Sequence, residues 1–164
     1  MTYEQIEDDL VSRFFDTIEI SGTPTLVKKS DVFFEIAPLP DFEAQYVNNQ
    51  NPRAWVIFNN SDYSDRENLD IVFQEDKMQI AIEVHSRTRR GDTGIFAIQK
   101  IIFKYLLGFK ILGCDKLQLV AFNPLEGCGP GSWKYVILFS TVSHIMQKSE
   151  PEPTEPKLKE IIIK

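Results

Sequence analysis

Met78-Gln79-Ile80-Ala81-Ile82-Glu83-Val84-His85, followed by Ser86-Arg87-Thr88-Arg89-Arg90-Gly91-Asp92-Thr93-Gly94, decides the fold. Met78, Ile80, Ile82 and Val84 alternate with Gln79, Ala81, Glu83 and His85, the two-residue period of a strand with one buried face. The polar, glycine-containing segment from Ser86 to Gly94 breaks that period. Beyond it Ile98, Ile102, Tyr105, Leu106 and Phe109 recur at helical spacing, with Gln99, Lys100 and Lys104 on the other side. Asp92 or Thr93 is the expected N-cap, and Gly108 and Gly113 mark where the helix can end. A strand feeding an amphipathic helix through a tight turn is the nucleus of an α/β or α+β domain.

Working outward, Thr2 and Gln5 form a capping-box pattern, and Ile6, Leu10, Val11 and Phe14 make one apolar helical stripe. That predicts an N-terminal helix with Phe14 and Phe15 in its last turn, stopping at Ser21-Gly22-Thr23-Pro24. Thr25-Leu26-Val27 and Val32 to Ile36 read as short strands, or one strand with a break, and Pro38, Pro40 and Pro52 punctuate a loop. Ala54-Trp55-Val56-Ile57-Phe58 is a continuous apolar run, as expected of a central strand buried on both faces, and Asn59 to Asp65 ends it in turn chemistry. Residues 69–73 alternate again, and Gln74-Glu75-Asp76-Lys77 reads as a short connection, which predicts an antiparallel hairpin of 69–73 with 78–86.

Downstream, Leu117 to Phe122 is a strand, Asn123 to Gly131 a glycine-rich loop, and Trp133 to Ile145 a long strand with Trp133, Tyr135, Ile137 and Phe139 on one face. The order of elements predicts a mixed, largely antiparallel sheet with helices packed mainly on one face. One domain, residues 1–148, accounts for it. Residues 149–164 form an extended, Pro/Glu-rich C-terminal arm ending in the apolar residues Leu158, Ile161, Ile162 and Ile163. Such a patch at the end of a tether suits docking on its own domain or on another subunit.

Composition narrows function. At 43% hydrophobic and 26% charged, the chain has the makeup of an ordinary soluble globular domain. The formal net charge of −6 argues against a general nucleic-acid binder, which needs a basic face. No apolar run approaches the ~20 residues that span a bilayer, and the N-terminus lacks the pattern of a signal peptide. The two cysteines, Cys114 and Cys128, stand beside glycines in expected loops and suit a reducing compartment with free thiols, though a disulfide between them stays open.

Chemistry-bearing motifs are sparse. The sharpest enzymatic pattern is that of a restriction-like, Mg²⁺-dependent nuclease, with Asp70 before the expected hairpin and Ile82-Glu83-Val84-His85 standing where that fold carries Ile-Glu-Val-Lys. His85 replaces the lysine, and a solvated strand face explains the same spacing. His85, His144 and the cysteines show no metal-ligand spacing, and no serine or cysteine lies in a nucleophile elbow. Neither a cofactor nor a metal is expected. Arg87, Arg89 and Arg90, with Asp92, form the densest charged cluster, suited to phosphate contact, to ion pairs with a neighbouring subunit, or simply to solvent. Arg90-Gly91-Asp92 is an adhesion tripeptide without an extracellular context, and Gly91 to Gly94 lacks the glycine spacing and lysine of a nucleotide loop.

From Ile80 to His144 the chain resembles the tail-terminator-like proteins of Mu-like and other contractile-tailed phages. The likeness lies in order and spacing: the strand ending in an Arg turn (Ile80 to Thr88), the helix closing in Leu106-Leu107-Gly108-Phe109, the strand Leu117 to Phe122, a glycine-rich loop, and the aromatic strand from Trp133-Lys134-Tyr135 through Phe139-Ser140-Thr141. The N-terminal amphipathic helix also fits, whereas the C-terminal arm and residues 38–52 are not part of the pattern. The resemblance implies a non-enzymatic virion protein at the neck of the tail. It implies a hexameric ring that caps the tail tube, stops its polymerisation and joins it to the sheath and head–tail connector, with DNA passing through the lumen. It puts Arg87, Arg89, Arg90 and Asp92, and the arm residues Leu158, Ile161, Ile162 and Ile163, at subunit contacts.

Overall fold

A computed structural model of the chain describes residues 2–39, 52–63, 71–126 and 131–148. Along it run α1 (Tyr3–Ser12), β1 (Phe15–Ile20), β2 (Thr23–Lys28), β3 (Glu35–Pro38), β4 (Arg53–Tyr63), β5 (Ile71–Ser86), α2 (Ile95–Leu106), β6 (Gln118–Pro124) and β7 (Trp133–Lys148). β1 and β2 pair as a separate two-stranded sheet. The other five strands form one sheet in the order β3-β4-β5-β7-β6, in which β3 lies parallel to β4 and every other pair is antiparallel. The fold is α+β with a mixed, largely antiparallel sheet, as the pattern of elements predicts.

β5 is the centre of this sheet. Met78, Ile80, Ile82 and Val84 are buried, and their partners across the ladder, Thr141, Phe139, Ile137 and Tyr135 of β7, are buried with them. Ala54 and Val56 of β4 continue the same face. Ile6 and Leu10 of α1 and Ile95, Ile98, Ile102 and Leu106 of α2 join the same apolar cluster, so both helices lie on this face. Each such side chain taken from water contributes about 1.5–3 kcal/mol, which is why the period-two run of β5 and the helical run of α2 fix each other.

The expected hairpin of 69–73 with 78–86 is not there. β5 runs unbroken from Ile71 to Ser86, and its antiparallel partner on one side is β4, paired from Arg53↔His85 to Tyr63↔Asp76. The polar tetrapeptide Gln74 to Lys77 stays in strand because β7 pairs with all four residues and β4 with Asp76 and Lys77. Asp76, itself buried, accepts a hydrogen bond from the Ser61 hydroxyl. Likewise β4 does not stop at Asn59. A register shift between Phe58 and Asn60 absorbs the extra residue as a bulge, and the strand continues to Tyr63. Nor is β4 central or covered on both sides: it is next to the edge strand β3, and Trp55 and Ile57 remain half-buried.

The N-terminal helix is shorter than its apolar stripe suggests. The capping box forms, with the Gln5 N–H donating to Thr2 Oγ1 at 3.3 Å and the Thr2 N–H donating to Gln5 Oε1 at 2.9 Å, but α1 ends at Ser12. Phe14, fully buried, packs edge-on to Tyr105 and Phe34, and Phe15 already begins β1. Ser21 and Gly22, both at positive φ (52° and 79°), make the two-residue turn between β1 and β2 rather than a helix stop. α2 ends where expected: Gly108, at φ 75°, follows it, and its N–H donates to the Leu117 carbonyl at 2.9 Å. Cys114 is a free, buried thiol, held by a bridge between its backbone and Ser143 rather than lying in an open loop. Burial pushes its pKa up, which disfavours the thiolate. Of the expected loop Asn123 to Gly131, Asn123 and Pro124 extend β6, and residues 127–130 with Cys128 fall outside the described residues, as do the arm, Pro40 and Asp70.

A candidate interface at the exit of the central strand

The turn from β5 into α2 is built from backbone hydrogen bonds. The Ser86 hydroxyl donates to the Thr93 carbonyl at 3.0 Å and accepts from the Thr88 N–H at 3.3 Å, which folds the turn back on itself. The helix begins at Gly94, not at Asp92 or Thr93. Its cap carries no side-chain hydrogen bond, because the turn supplies carbonyls instead: Ile95 N–H donates to Thr88 O at 3.1 Å and Phe96 N–H to Arg89 O at 3.4 Å. With those donors satisfied, the start of α2 is not an open anion site. Gly94 is required by close approach. A Cβ there would lie 2.6 Å from the Arg90 carbonyl oxygen.

Arg87, Arg89, Arg90 and Asp92 are all exposed on this turn. The structure brings them together but gives them different surroundings. The Arg89 guanidinium lies over the rings of Phe96 (5.3 Å to the centroid) and Trp133 (5.7 Å), which order it. Behind it Phe96 packs edge-on to Phe122 and Tyr135 at 6.3 and 6.4 Å, and Phe122 stacks on Tyr135 at 4.9 Å. Arg87, Arg90 and Asp92 form no ion pair among the described residues. An ordered arginine on an aromatic platform, ringed by further charges, is the composition of a protein-contact anchor. Phe96, Phe122 and Trp133 are the members of this patch that sequence reading passed over. Their only signal was aromatic residues spaced like core positions. Trp133, on the same face of β7 as the buried Tyr135, is 40% exposed at the start of the strand.

The nuclease pattern depends on a hairpin that the described residues do not form, and Asp70 itself lies outside them. Glu83 stands twelve positions along the continuous strand β5 from Ile71, a separation of about 40 Å at ~3.3 Å per residue. The hairpin that was to set Asp70 against it is absent. Glu83 instead lies 2.6 Å from His85 Nε2, and the His85 hydrogen bond, with the charges of His85 and Lys134, holds its carboxyl below the usual value against the effect of burial. Among the described residues no group of three or more His, Cys, Asp or Glu could hold a metal ion.

A second polar site ties α2 to the segment before β3. Asp31 accepts from Lys104 Nζ at 2.6 Å and from the Tyr105 hydroxyl at 2.7 Å, which lowers its pKa and raises those of its two donors. It is a strut, not a reaction centre.

The face of the large sheet turned away from the helices carries Trp55 and Ile57 of β4, Ala81, Glu83 and His85 of β5, and Val136 and Leu138 of β7. No described helix covers it. The arm residues Leu158, Ile161, Ile162 and Ile163 lie outside the described residues.

No described helix is long and apolar enough to cross a membrane. No curated protein matches the chain significantly. The family described as Gp37 protein, a phage-associated family, matches residues 30–163, most of the chain, and takes in everything from β3 through β7. The chain therefore belongs to the Gp37 family of phage proteins.

Proposed function

We propose that the chain is a non-enzymatic virion protein, the tail terminator. In this reading a ring of copies, six by the resemblance, caps the tail tube, stops its polymerisation and joins it to the sheath and head–tail connector. Membership of a phage family across residues 30–163 carries the reading. The surface supports it. A ring needs head-to-tail contacts between different faces of one subunit, and the Arg89 platform and the sheet face that no described helix covers are two candidate surfaces. A net charge of −6 also suits a channel through which DNA slides without being held.

The test is the mass of the full chain by light scattering, alone and with tail-tube protein, followed by electron microscopy of tubes. A ring in solution or on tube ends is expected, with tube length limited in its presence. A chain that stays monomeric and leaves tube growth unaltered overturns the reading. Rings on an injection tube other than a phage tail would make it an adaptor of another contractile system. Deleting residues 150–164 is expected to leave the thermal unfolding midpoint in place and to weaken ring assembly. Unchanged assembly would remove the arm from the interface.

A further inference from the structure

The Arg89 platform combines two kinds of chemistry on one surface. Its aromatic part is Trp133, 40% exposed, and the half-buried Phe96, with the Arg89 guanidinium lying over both rings. Its charged part is Arg87 and Arg90 on the turn, and Lys100, one helical turn along α2 from Phe96 and so beside it on the helix surface. Arg87, Arg90 and Lys100 are exposed and form no ion pair among the described residues. Two acids stand nearby: Asp92 on the same turn, and Glu126, which follows Leu125, whose N–H donates to the Lys134 carbonyl. Four cations against two anions make this neighbourhood basic in a chain whose net charge is −6.

One stretch of the chain carries the complementary pair of chemistries. Residues 150–156 read Glu-Pro-Glu-Pro-Thr-Glu-Pro, three carboxylates and three prolines with no cation among them. Proline-rich segments are recognised by aromatic surfaces on which their rings pack, with charges beside the prolines fixing direction and register. Carboxylates meet arginine in two-pronged, charge-assisted hydrogen bonds.

Geometry decides whose platform this stretch can reach. It follows Lys148, which pairs with Ile71, whereas Trp133 pairs with Ser86 at the opposite end of the same ladder. The sixteen residues of β7 put the two ends about 50 Å apart at ~3.3 Å per residue. A fully extended chain spans at most ~3.6 Å per residue, so Pro156, eight residues beyond Lys148, stays within about 29 Å of it. The platform of its own subunit is out of range.

We propose that residues 150–156 of one copy dock on the Arg89 platform of the next, the prolines on Trp133 and Phe96 and the carboxylates on Arg87 and Arg90. This rests on the ring reading and deepens it, because a segment meeting a different surface of the neighbouring copy is a head-to-tail contact. A strip of seven residues is far smaller than the ~800 Å² per partner of a stable binary complex. It is therefore one contact among several, and its exposed charges make it weaken with added salt.

The test places a photoreactive benzoylphenylalanine at Pro153 of the full-length chain, mixes it with isotope-labelled wild-type chain and assembles both with tail-tube protein. Cross-links from Pro153 to residues 87–100 or 133 of the labelled copy are expected. Cross-links only to other regions, to the tube protein or within one chain overturn the proposal. Independently, Arg87→Glu with Arg90→Glu is expected to raise the concentration needed for assembly about tenfold, with folding unchanged by circular dichroism. Glu150→Arg with Glu152→Arg, which leaves the platform intact, is expected to do the same, and the four changes together to restore assembly. Rings that form normally with either pair reversed sink this contact and leave the ring reading standing. A wild-type chain that never self-associates, alone or on tubes, sinks both.

Discussion

Replacing Gly94 by alanine separates steric from conformational reasons for a glycine. Four of the described glycines after residue 90 have positive φ, where a side chain strains the backbone; Gly94, at φ −83°, does not. By dihedral alone Gly94→Ala should be benign. By space it is not, since the new Cβ would meet Arg90 O at 2.6 Å and Arg90 C and N at 2.8 Å, all of them backbone. These atoms cannot swing aside as a side-chain tip would. Moving them drags the Thr88 and Arg89 carbonyls from the N–H groups of Ile95 and Phe96 and strains the Gly94 N–H to Gly91 O bond of 3.2 Å. At ~0.5–1.5 kcal/mol net per hydrogen bond, two or three weakened bonds cost about 2–3 kcal/mol. Gly108→Ala is the control: φ is 75° but nothing lies within 4 Å, so the cost is about 1 kcal/mol of left-handed strain. At ~2–4 °C per kcal/mol for a domain of this size, Gly94→Ala lowers the unfolding midpoint by about 4–12 °C and Gly108→Ala by about 2–4 °C. Calorimetry with urea unfolding measures both. A Gly108 variant as unstable as, or less stable than, the Gly94 variant would refute the close-approach argument.

Three further outcomes follow from the packing and the charges. Ile82→Ala, at a fully buried position in the centre of β5, is expected to cost about 2–5 kcal/mol in urea unfolding, and a loss below 1 kcal/mol would mean that the site repacks freely. Glu83 has a folded pKa below its ordinary 4.5, chiefly through the His85 hydrogen bond, so its contribution to stability is present above that value and fades as pH falls through the lowered one. Glu83→Gln should therefore flatten the loss of stability on going from pH 5 to pH 2, and an unchanged acid limb would assign it to other carboxylates. Arg89→Ala removes an exposed cation over two rings, worth roughly 0.5–1 kcal/mol, and should shift the midpoint by less than about 4 °C while weakening assembly; intact assembly would leave Arg89 a purely local contact.

What the sequence revealed, and what it hid, divides along one physical line. Where burial on one face dictated the pattern, reading succeeded: Met78 to Val84, Ile98 to Leu106 and Tyr135 to Phe139 all carry their period into the structure. Where a segment's polarity is satisfied by partners distant in sequence, it failed. Gln74 to Lys77 looks like a turn until the Ser61 hydroxyl of β4 donates to Asp76, and Asn59 looks like a stop until a bulge absorbs it. Asp92 looks like a helix cap until the carbonyls of Thr88 and Arg89 take that role. Residues 15–20 were hidden differently. Phe14 and Phe15 extend the helical stripe, and only the packing of Phe14 against Phe34 and Tyr105 shows that the chain has already turned.

The same distinction bears on the interface. A pattern of buried residues encodes one side of an element, so a face that is apolar yet uncovered within the subunit leaves a second, weaker period beside the first. In β4 that period is Arg53, Trp55, Ile57 against Ala54, Val56, and together they read as a run buried on both sides. For the isolated subunit that reading is wrong, because no described helix covers Trp55 and Ile57. Within an assembly that covers that face it would be correct. The continuous apolar run of β4 is then a property of the assembly written into the strand, and the exposure of Trp55 is the quantity to follow. Its fluorescence should shift to shorter wavelength on assembly, and Trp133→Phe, which leaves Trp55 as the remaining tryptophan, isolates the signal. An unshifted Trp55 spectrum in assembled particles would mean that the face stays wet and that the ring closes through the Arg89 platform instead.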